Sequence, residues 1–388
     1  IFKAMKAVAE SGIGEVDPWT VTTELGEAIH DAGGVNYLAD LSSSIATTAN
    51  FQGYERLVLD AYKLRSSRNS ALSFAENPTD ENLIKLYNRL SELQEIGVDN
   101  GESVRDVLID IYEEMYTPQD DIAGIDTGLT DLNVMTGGLQ NGDLIIVAAR
   151  PSMGKTAFAL NLALANCKSG GVTDIFSLEM SNKQLIQRMI SSLANVNSSK
   201  WRNPYKLMTD EDRDRISFAV NEIEKMSLNI HDQSGQSIYD IRAAVRKSMK
   251  DEPDKKHLVV IDYLQLISIV GKFDRHDLAI GHITRELKNM AREFDIPVVL
   301  LSQLSRGVEQ RQDKRPMLSD LRDSGNIEQD ADIVMFLYRD DYYDKQTENE
   351  NITEIIIAKQ RNGEVGTVQT LFEKEYGRFL NLERYREG

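Results

Sequence analysis

The chain has 388 residues, of which 41% are hydrophobic and 27% are charged, and its formal net charge is −18. This length suggests two or three domains, and the near-average composition excludes a mostly disordered chain. A single cysteine, Cys167, excludes a disulfide framework and a zinc site of several thiolates. The five scattered histidines argue against a histidine metal centre, and no apolar run is long enough to predict a membrane span. We therefore expect a cytoplasmic protein.

The negative charge is concentrated at the start of the chain. Residues 1–120 carry 9 Lys and Arg against 21 Asp and Glu, whereas residues 121–388 carry 35 against 41. Nucleic-acid-binding proteins are usually basic, so the overall charge argues against one. Because salt screens charges beyond about 10 Å, a local basic surface for DNA remains compatible with the second part.

Residues 1–96 are predicted to form a helical domain. Apolar residues follow helical spacing within Phe51–Leu72, Pro78 marks a break, and Thr79 begins another helix. The first residue is Ile, and no signal peptide follows it. We therefore expect the domain to lack part of its native N-terminus.

Residues 97–120 are predicted to form a linker with one amphipathic helix. Ser103 and Asp106 resemble a capping box, and apolar residues at helical spacing run from Val104 to Met115 before Pro118. Two interpretations stay open at this point. The stripe packs on the helix's own domain, or it docks on a neighbouring subunit.

The pattern changes at Asp121, where short apolar runs begin to alternate with helical segments. Several of these runs are β-branched and nearly continuous, which is typical of buried parallel strands. The alternation predicts an α/β fold for residues 121–388. The predicted strands are 143–149, 172–178, 257–261, 297–301, 333–337 and 355–358, and the predicted helices are 156–165, 182–194 and 278–294.

A phosphate-binding loop follows the first predicted strand. Backbone N–H groups in such a loop and the following helix N-terminus bind a β-phosphate. Lys155 supplies a charge to the β- and γ-phosphates, and Thr156 offers a hydroxyl to Mg²⁺. Ala149 replaces the usual first glycine, but the strand before and the helix after support an ATP site. Its predicted residues are Arg150, Pro151, Ser152, Met153, Gly154, Lys155 and Thr156.

Two carboxylates are predicted to complete this site. Asp262 ends the strand 257–261 as in a Walker B motif and would reach Mg²⁺ through water. Tyr263 follows it and cannot activate water at neutral pH, so the base must come from elsewhere. We predict Glu179, since a strand beside the P-loop strand would bring it to the carboxyl edge of the sheet, facing the γ-phosphate. This placement favours RecA-type ATPases.

Two further features concern γ-phosphate sensing and DNA. Gln303 follows the strand 297–301, where a neutral amide can sense a γ-phosphate and pass that contact to the next loop. The segment 306–322 carries five basic and three acidic residues, together with Gly307 and Pro316. It is predicted to be a basic loop inside an acidic protein.

The motifs together resemble the DnaB-type replicative DNA helicases of bacteria and their phages. The similarity is dense across Asp121–Phe379 and weaker before residue 100, where the first helices of the family's helical domain would be missing. It is carried by FSLEM, VVIDYLQL, VVLLSQLSR, DLRDSGNIEQDADIVMFLYRDD and IIIAKQRNGEVGTV. Departures from the common bacterial form favour a phage origin.

The resemblance implies a homohexameric ring on a RecA-like core, with ATP between subunits. Lys359 and Arg361 match the family's trans-acting pair, Arg361 as an arginine finger and Lys359 as its support, both pointing the same way from one strand. Without the resemblance, they would be a solvated strand face. The helix near 103–116 occupies the position of the family's linker helix.

The resemblance also implies two DNA-binding loops in the ring channel. One holds Arg322, Asp323 and Gly325, and the other holds Lys272 and Arg275 after the Walker B strand. Asp323 stands where the family often has Glu. Such loops would contact the phosphates of single-stranded DNA without reading its sequence.

The predicted function is an ATP-driven replicative helicase that moves 5′ to 3′ on one DNA strand, with a primase and a helicase loader as partners. A RecA-type recombinase shares the same core, but it has no evident need for the acidic helical domain. A scaffold that uses ATP only for assembly has no need for Lys155, Glu179, Asp262 and Arg361 together. A KaiC-like signalling ATPase is a weaker alternative.

Overall fold

The computed structural model describes residues 1–11, 17–30, 32–43, 51–95, 108–109, 112, 115–116, 122–268, 276–321 and 324–382. The chain forms two units, Ile1–Tyr112 and Glu113–Gly388. The predicted linker helix near residues 103–116 lies largely outside the described residues.

The first unit is helical, as predicted. Asp17 caps α2 by accepting hydrogen bonds from the backbone N–H groups of Trp19 and Thr20 at 2.9 and 2.7 Å. α5 starts after Thr79, whose hydroxyl accepts from the backbone N–H of Asn82 at 3.3 Å. The helices are α1 (Phe2–Ser11), α2 (Pro18–Leu25), α3 (Gly34–Ser43), α4 (Phe51–Glu76) and α5 (Asp80–Glu95).

The second unit is built on one nine-stranded sheet in the order β3-β2-β4-β5-β1-β6-β7-β8-β9. β1 to β6 are mutually parallel, and β7, β8 and β9 extend the sheet with antiparallel pairing. The fold is therefore the mainly parallel α/β sheet that the sequence predicts. The strands are β1 (Leu144–Ala149), β2 (Val172–Ser177), β3 (Ser227–His231), β4 (His257–Asp262), β5 (Val298–Gln303), β6 (Ile333–Tyr338), β7 (Ile352–Gln360), β8 (Gly366–Glu373) and β9 (Arg378–Asn381).

Helices cover both faces of this sheet, so its central strands are buried on both sides. Cys167 is buried near the end of α7, and this burial raises the pKa of its thiol. The helices are α6 (Thr130–Thr136), α7 (Lys155–Lys168), α8 (Asn182–Ala194), α9 (Pro204–Leu207), α10 (Asp210–Glu224), α11 (Ile238–Asp251), α12 (His276–Phe294), α13 (Ser324–Asp330) and α14 (Asp340–Tyr343).

The six predicted strands all occur, with ends shifted by at most a few residues. The strands β3, β8 and β9 are not among those predicted. Residues of β3 are mostly half-buried, and those of β8 alternate between buried and more exposed positions. These strands therefore lack the continuous apolar runs that identify the central strands.

Candidate functional site

The loop between β1 and α7 has the backbone shape of a phosphate cradle. Ser152 and Gly154 adopt positive φ angles of 69° and 98°. A Cβ atom at Gly154 would lie 3.2 Å from ring carbons of Phe372 and 3.3 Å from Phe379. The backbone conformation therefore favours glycine, and a larger residue would press against these two rings. The turn directs the N-terminus of α7 into a cleft of about 580 Å³, a size typical of small-molecule sites.

Lys155, Thr156 and Asp262 meet at the start of α7. The Thr156 hydroxyl donates a hydrogen bond of 2.7 Å to Asp262 Oδ2, and Lys155 Nζ lies 3.8 Å from Asp262 Oδ1. Burial lowers the pKa of Lys155, although the charges of Asp262 and Glu179 oppose this effect. The three side chains therefore form one polar cluster at the carboxyl edge of the sheet.

The same cluster fits a magnesium ion. Asp262 Oδ1 is buried and has no hydrogen-bond partner among the described residues. A carboxylate oxygen left in this way beside a threonine hydroxyl suits Mg²⁺, which uses one or two carboxylates, waters and phosphate oxygens. No cluster of three or more His, Cys, Asp or Glu side chains that could hold a metal occurs in the described part of the chain. The remaining ligands would therefore have to come from the nucleotide and water.

Tyr263 lies against this cluster, with Lys155 Nζ 4.6 Å from the centre of its ring. Burial, and then the negative charges of Glu179 and Asp262, raise the pKa of Tyr263 above its ordinary value. The phenol is thus even less able to act as a base at neutral pH. This agrees with the reasoning that excluded it from water activation.

Glu179 is an exposed carboxylate that lines the cleft together with Lys155. The expectation that its strand lies beside the P-loop strand is wrong, because β4 and β5 separate β2 from β1. Glu179 reaches the same cleft because the carboxyl ends of all these parallel strands share one edge. The side chain is exposed at the cleft, and its role toward a γ-phosphate stays a prediction.

Gln303 is the last residue of β5 and pairs in register with Ala149, the last residue of β1. It lines the cleft next to the P-loop. The segment that follows contacts the P-loop too, because Arg150 donates to Glu309 Oε1 at 2.8 Å and to the carbonyl oxygen of Leu304 at 2.9 Å. The side chain of Arg150 is thus held by this segment, while its backbone belongs to the P-loop.

Sequence reasoning missed Arg339, which lines the cleft and is buried. Its guanidinium donates to both carboxylate oxygens of Asp341, at 2.9 and 3.1 Å, and its Nη1 donates to the carbonyl oxygen of Ser152 at 3.4 Å. Burial raises the pKa of Asp341, but Lys374 and Arg339 outweigh this effect and hold it below its usual range. Arg339 follows β6 directly, so the rule that found Glu179 and Gln303 would have found it.

Lys359 and Arg361 lie at the opposite edge of the sheet. Lys359 is the second-to-last residue of β7, and it donates to the carbonyl oxygens of Glu328 in α13 and of Ala331 just after that helix. Arg361 follows one residue after the end of β7, and its Nη2 donates to the carbonyl oxygen of Gln329 at 2.9 Å. Both side chains therefore approach the same end of α13, although Arg361 comes directly after β7 and not, as was predicted, on the strand. Neither lines the cleft of the P-loop as described in this chain.

The predicted DNA-binding residues fall mostly outside the described structure. Arg322, Asp323, Lys272 and Arg275 are not among the described residues, and Gly325 lies in the first turn of α13 rather than in a loop. Within the basic segment 306–322, Arg311 pairs with Asp320 at 2.6 Å, and Arg315 pairs with Glu354 at 2.7 Å. Part of its positive charge is thus neutralised within the chain.

The chain matches two family models and close relatives of known function. The model of the DnaB-like helicase C terminal domain matches residues 124–381, and that of the DnaB-like helicase N terminal domain matches residues 1–60. The replicative DNA helicase DnaC of Bacillus subtilis (strain 168) is 45% identical over 99% of this chain and 87% of its own length. The replicative DNA helicase DnaB of Geobacillus stearothermophilus is 46% identical with the same coverage.

Solved structures agree with these relatives. A DnaB-like replicative helicase whose interactions with primase were studied has a TM-score of 0.80 and 41% identity, covering 98% of this chain and 91% of its own. A second structure, of an isolated ATPase domain, has a TM-score of 0.71 and 48% identity, covering 73% of this chain and 99% of its own. No described helix is both long and apolar enough to cross a membrane.

Proposed function

The chain belongs to the DnaB-like helicase family and is a replicative DNA helicase, and we propose that it uses ATP with Mg²⁺ to move 5′ to 3′ on single-stranded DNA as a homohexameric ring. It would act in a bacterial cytoplasm, at the replication fork. Residues 1–96 would form the helical domain, 97–120 the linker, and 121–388 the ATPase domain. A primase and a helicase loader are the proposed partners, since the DnaB-like relative described above interacts with primase.

One observation carries this proposal: the residues that we propose for ATP hydrolysis are divided between opposite edges of the sheet. Lys155 and Glu179 line the cleft at the carboxyl edge, whereas Arg361 N donates to Asp332 O at the start of β6. The six residues of β1, which span roughly 20 Å, lie between these edges. A finger so placed cannot serve its own cleft, so it is available to a neighbouring subunit.

Within its own subunit, the chain would bind and orient the nucleotide. The P-loop N–H groups and Lys155 would hold the β- and γ-phosphates. Thr156 and Asp262 would hold Mg²⁺, which when bound neutralises phosphate charge. Glu179 would orient the attacking water and accept its proton. Gln303 would sense the γ-phosphate and, through the segment held by Arg150, pass that contact onward.

Across the interface, Arg361 would reach the neighbour's γ-phosphate, with Lys359 supporting it. Arg322, Asp323 and Gly325, with Lys272 and Arg275, would line the ring channel and hold the DNA backbone. Hydrolysis at successive interfaces would shift these segments along the strand.

A displacement assay on forked DNA with Mg-ATP tests this function. Substrates would carry a 5′ tail only, a 3′ tail only, or both, and the wild type would be compared with Lys155→Ala and Arg361→Ala. Lys168→Ala is the matched control, since Lys168 is exposed at the far end of the same helix. We expect displacement that needs the 5′ tail, is lost in Lys155→Ala and Arg361→Ala, and persists in the control.

Two results would count against the proposal. DNA-stimulated ATP hydrolysis without displacement would favour the recombinase, and a strand-exchange assay would then decide. A folded hexamer showing neither displacement nor stimulation would favour a scaffold.

A further inference from the structure

Arg361 has a buried partner on its own chain. Its Nη1 lies 3.2 Å from Asp332 Oδ1, and its backbone N–H donates to the carbonyl oxygen of Asp332 at 3.0 Å. The side chain of Asp332 is 5% exposed, whereas that of Arg361 is 49% exposed. The guanidinium is therefore anchored at a buried point while much of it faces outward.

Asp332 is itself fixed by two other elements. Its Oδ2 accepts a hydrogen bond of 2.8 Å from the backbone N–H of Leu144, the first residue of β1. The same oxygen accepts from Lys288 Nζ of α12 at 2.5 Å. Because Oδ2 is bonded to β1 and α12, the carboxylate has a fixed orientation. Its Oδ1 therefore points in a defined direction, where it meets Arg361.

The rest of the guanidinium is held by the end of α13. Arg361 Nη2 donates to the carbonyl oxygen of Gln329 at 2.9 Å, where a cation is favoured by the helix dipole. A guanidinium has five N–H donors in a rigid plane. These contacts set the orientation of that plane, and its remaining N–H groups have no hydrogen-bond partner among the described residues.

We propose that Asp332 is a positioning residue for Arg361: its buried carboxylate fixes the guanidinium in the direction from which it reaches a neighbour's γ-phosphate. The inference rests on the proposed trans role of Arg361. Asp332 touches no nucleotide; it acts through Arg361. Lys288 supports it by holding the second carboxylate oxygen.

An alternative explains the same contacts without function. A buried carboxylate that binds a strand N–H and a lysine contributes to folding whether or not Arg361 is present. The two explanations differ in which ATP site loses activity. A positioning defect harms the neighbour's site, whereas a folding defect harms the subunit's own site.

Mixed rings separate these cases. Asp332→Asn would be combined with Lys155→Ala, and DNA-stimulated ATP hydrolysis would be measured for each protein alone and for the mixture. Alone, Asp332→Asn should lower kcat by about 10²-fold, as misplacement by about 1 Å can, with nucleotide affinity unchanged. In the mixture, Lys155→Ala subunits supply intact fingers to the intact P-loops of Asp332→Asn subunits. Activity should therefore rise well above that of either protein alone.

Two further mixtures complete the experiment. Arg361→Ala with Lys155→Ala should be rescued in the same way and tests the trans finger itself. Glu179→Gln with Lys155→Ala should not be rescued, because both changes damage the subunit's own site. Lys288→Gln is a second variant in case Asp332→Asn does not fold, and it should show a smaller loss of kcat with the same rescue.

The outcomes are distinct. Rescue of Asp332→Asn, or of Lys288→Gln where the first variant is unfolded, supports the proposal. If Arg361→Ala is rescued but these variants are not, the role of Asp332 is overturned and the trans action of Arg361 is retained. Unchanged kcat in folded Asp332→Asn leads to the same conclusion. No rescue of Arg361→Ala overturns the trans finger and this inference with it.

Discussion

The two edges of the central sheet hold their charges differently. At the carboxyl edge, Lys155 and Glu179 face a cleft, and Asp262 keeps a buried oxygen without a hydrogen-bond partner among the described residues. At the amino edge, Arg361 and Lys288 both contact the buried carboxylate of Asp332. The carboxyl edge is thus arranged to receive a ligand. The amino edge holds a cation in place, as the proposed action of Arg361 on another subunit would require.

The substitution with the largest expected effect on ATP hydrolysis is at the amino edge. Arg361→Ala should lower DNA-stimulated kcat by about 10³- to 10⁵-fold, the usual loss for an arginine finger, with little change in nucleotide affinity. Steady-state hydrolysis and binding of a fluorescent ATP analogue check both quantities. Arg292→Ala, an exposed arginine at the end of α12, is the control. Unchanged kcat would exclude Arg361 from ATP hydrolysis and remove the contrast between the edges.

The corresponding change at the carboxyl edge is Glu179→Gln. Removal of a general base should lower kcat by about 10²- to 10⁴-fold while the phosphates still bind. A pre-steady-state measurement of phosphate release, beside the exposed control Glu364→Gln, checks this. Unchanged kcat would mean that another group activates water.

The buried ion pair of Arg339 and Asp341 beside the P-loop should contribute to the stability of the fold. Asp341→Asn leaves Arg339 buried without its counter-charge, which should destabilise the α/β unit by about 3 kcal/mol. Denaturant unfolding of this variant, with Glu348→Gln as an exposed control, measures the difference. Because the pKa of Asp341 is lowered in the folded state, the pair's contribution is present at neutral pH and lost as the pH falls through that pKa. Equal stability of variant and wild type at neutral pH would contradict this account.

The smallest expected effect is a pH-dependent change in stability that Asp143 causes at the amino edge. Burial, and then the charge of Asp332, raise the pKa of Asp143 to about 6. The folded state then binds this proton more tightly than the unfolded state, so stability falls as the pH rises toward 6 and stays lowered above it. Asp143→Asn removes this cost and should raise Tm by about 2–4 °C at pH 8 and less at pH 5.5. Thermal melts beside the exposed control Asp254→Asn check the sign, and a lower Tm at pH 8 would reverse it.

The sequence predicts the carboxyl edge better than the amino edge for a physical reason. Lys155 and Thr156 form a local motif, and Asp262, Glu179 and Gln303 each come at or just after the end of an apolar run. The ends of parallel strands share an edge whatever the strand order. Their convergence could therefore be predicted even though β2 was wrongly expected beside β1. Their catalytic roles stay predictions.

The contacts at the amino edge join residues that are distant in sequence, so a local sequence pattern does not predict them. Asp332 and Arg361 meet only because β7 runs antiparallel to β6, with a register shift between Val334 and Met335. Neither strand direction nor an irregularity of this kind follows from hydrophobic spacing. The resemblance named Lys359 and Arg361, but nothing in the residue pattern pointed to Asp332.

The solitary thiol of the chain has a practical consequence for measuring ring motion. Cys167 is buried at 6% exposure, and its Sγ lies 3.4 Å from the Thr173 hydroxyl. A buried thiol with a raised pKa reacts slowly with maleimide dyes. Cysteines introduced at exposed positions can therefore be labelled selectively in the otherwise native chain, which opens the assembled ring to single-molecule fluorescence during turnover.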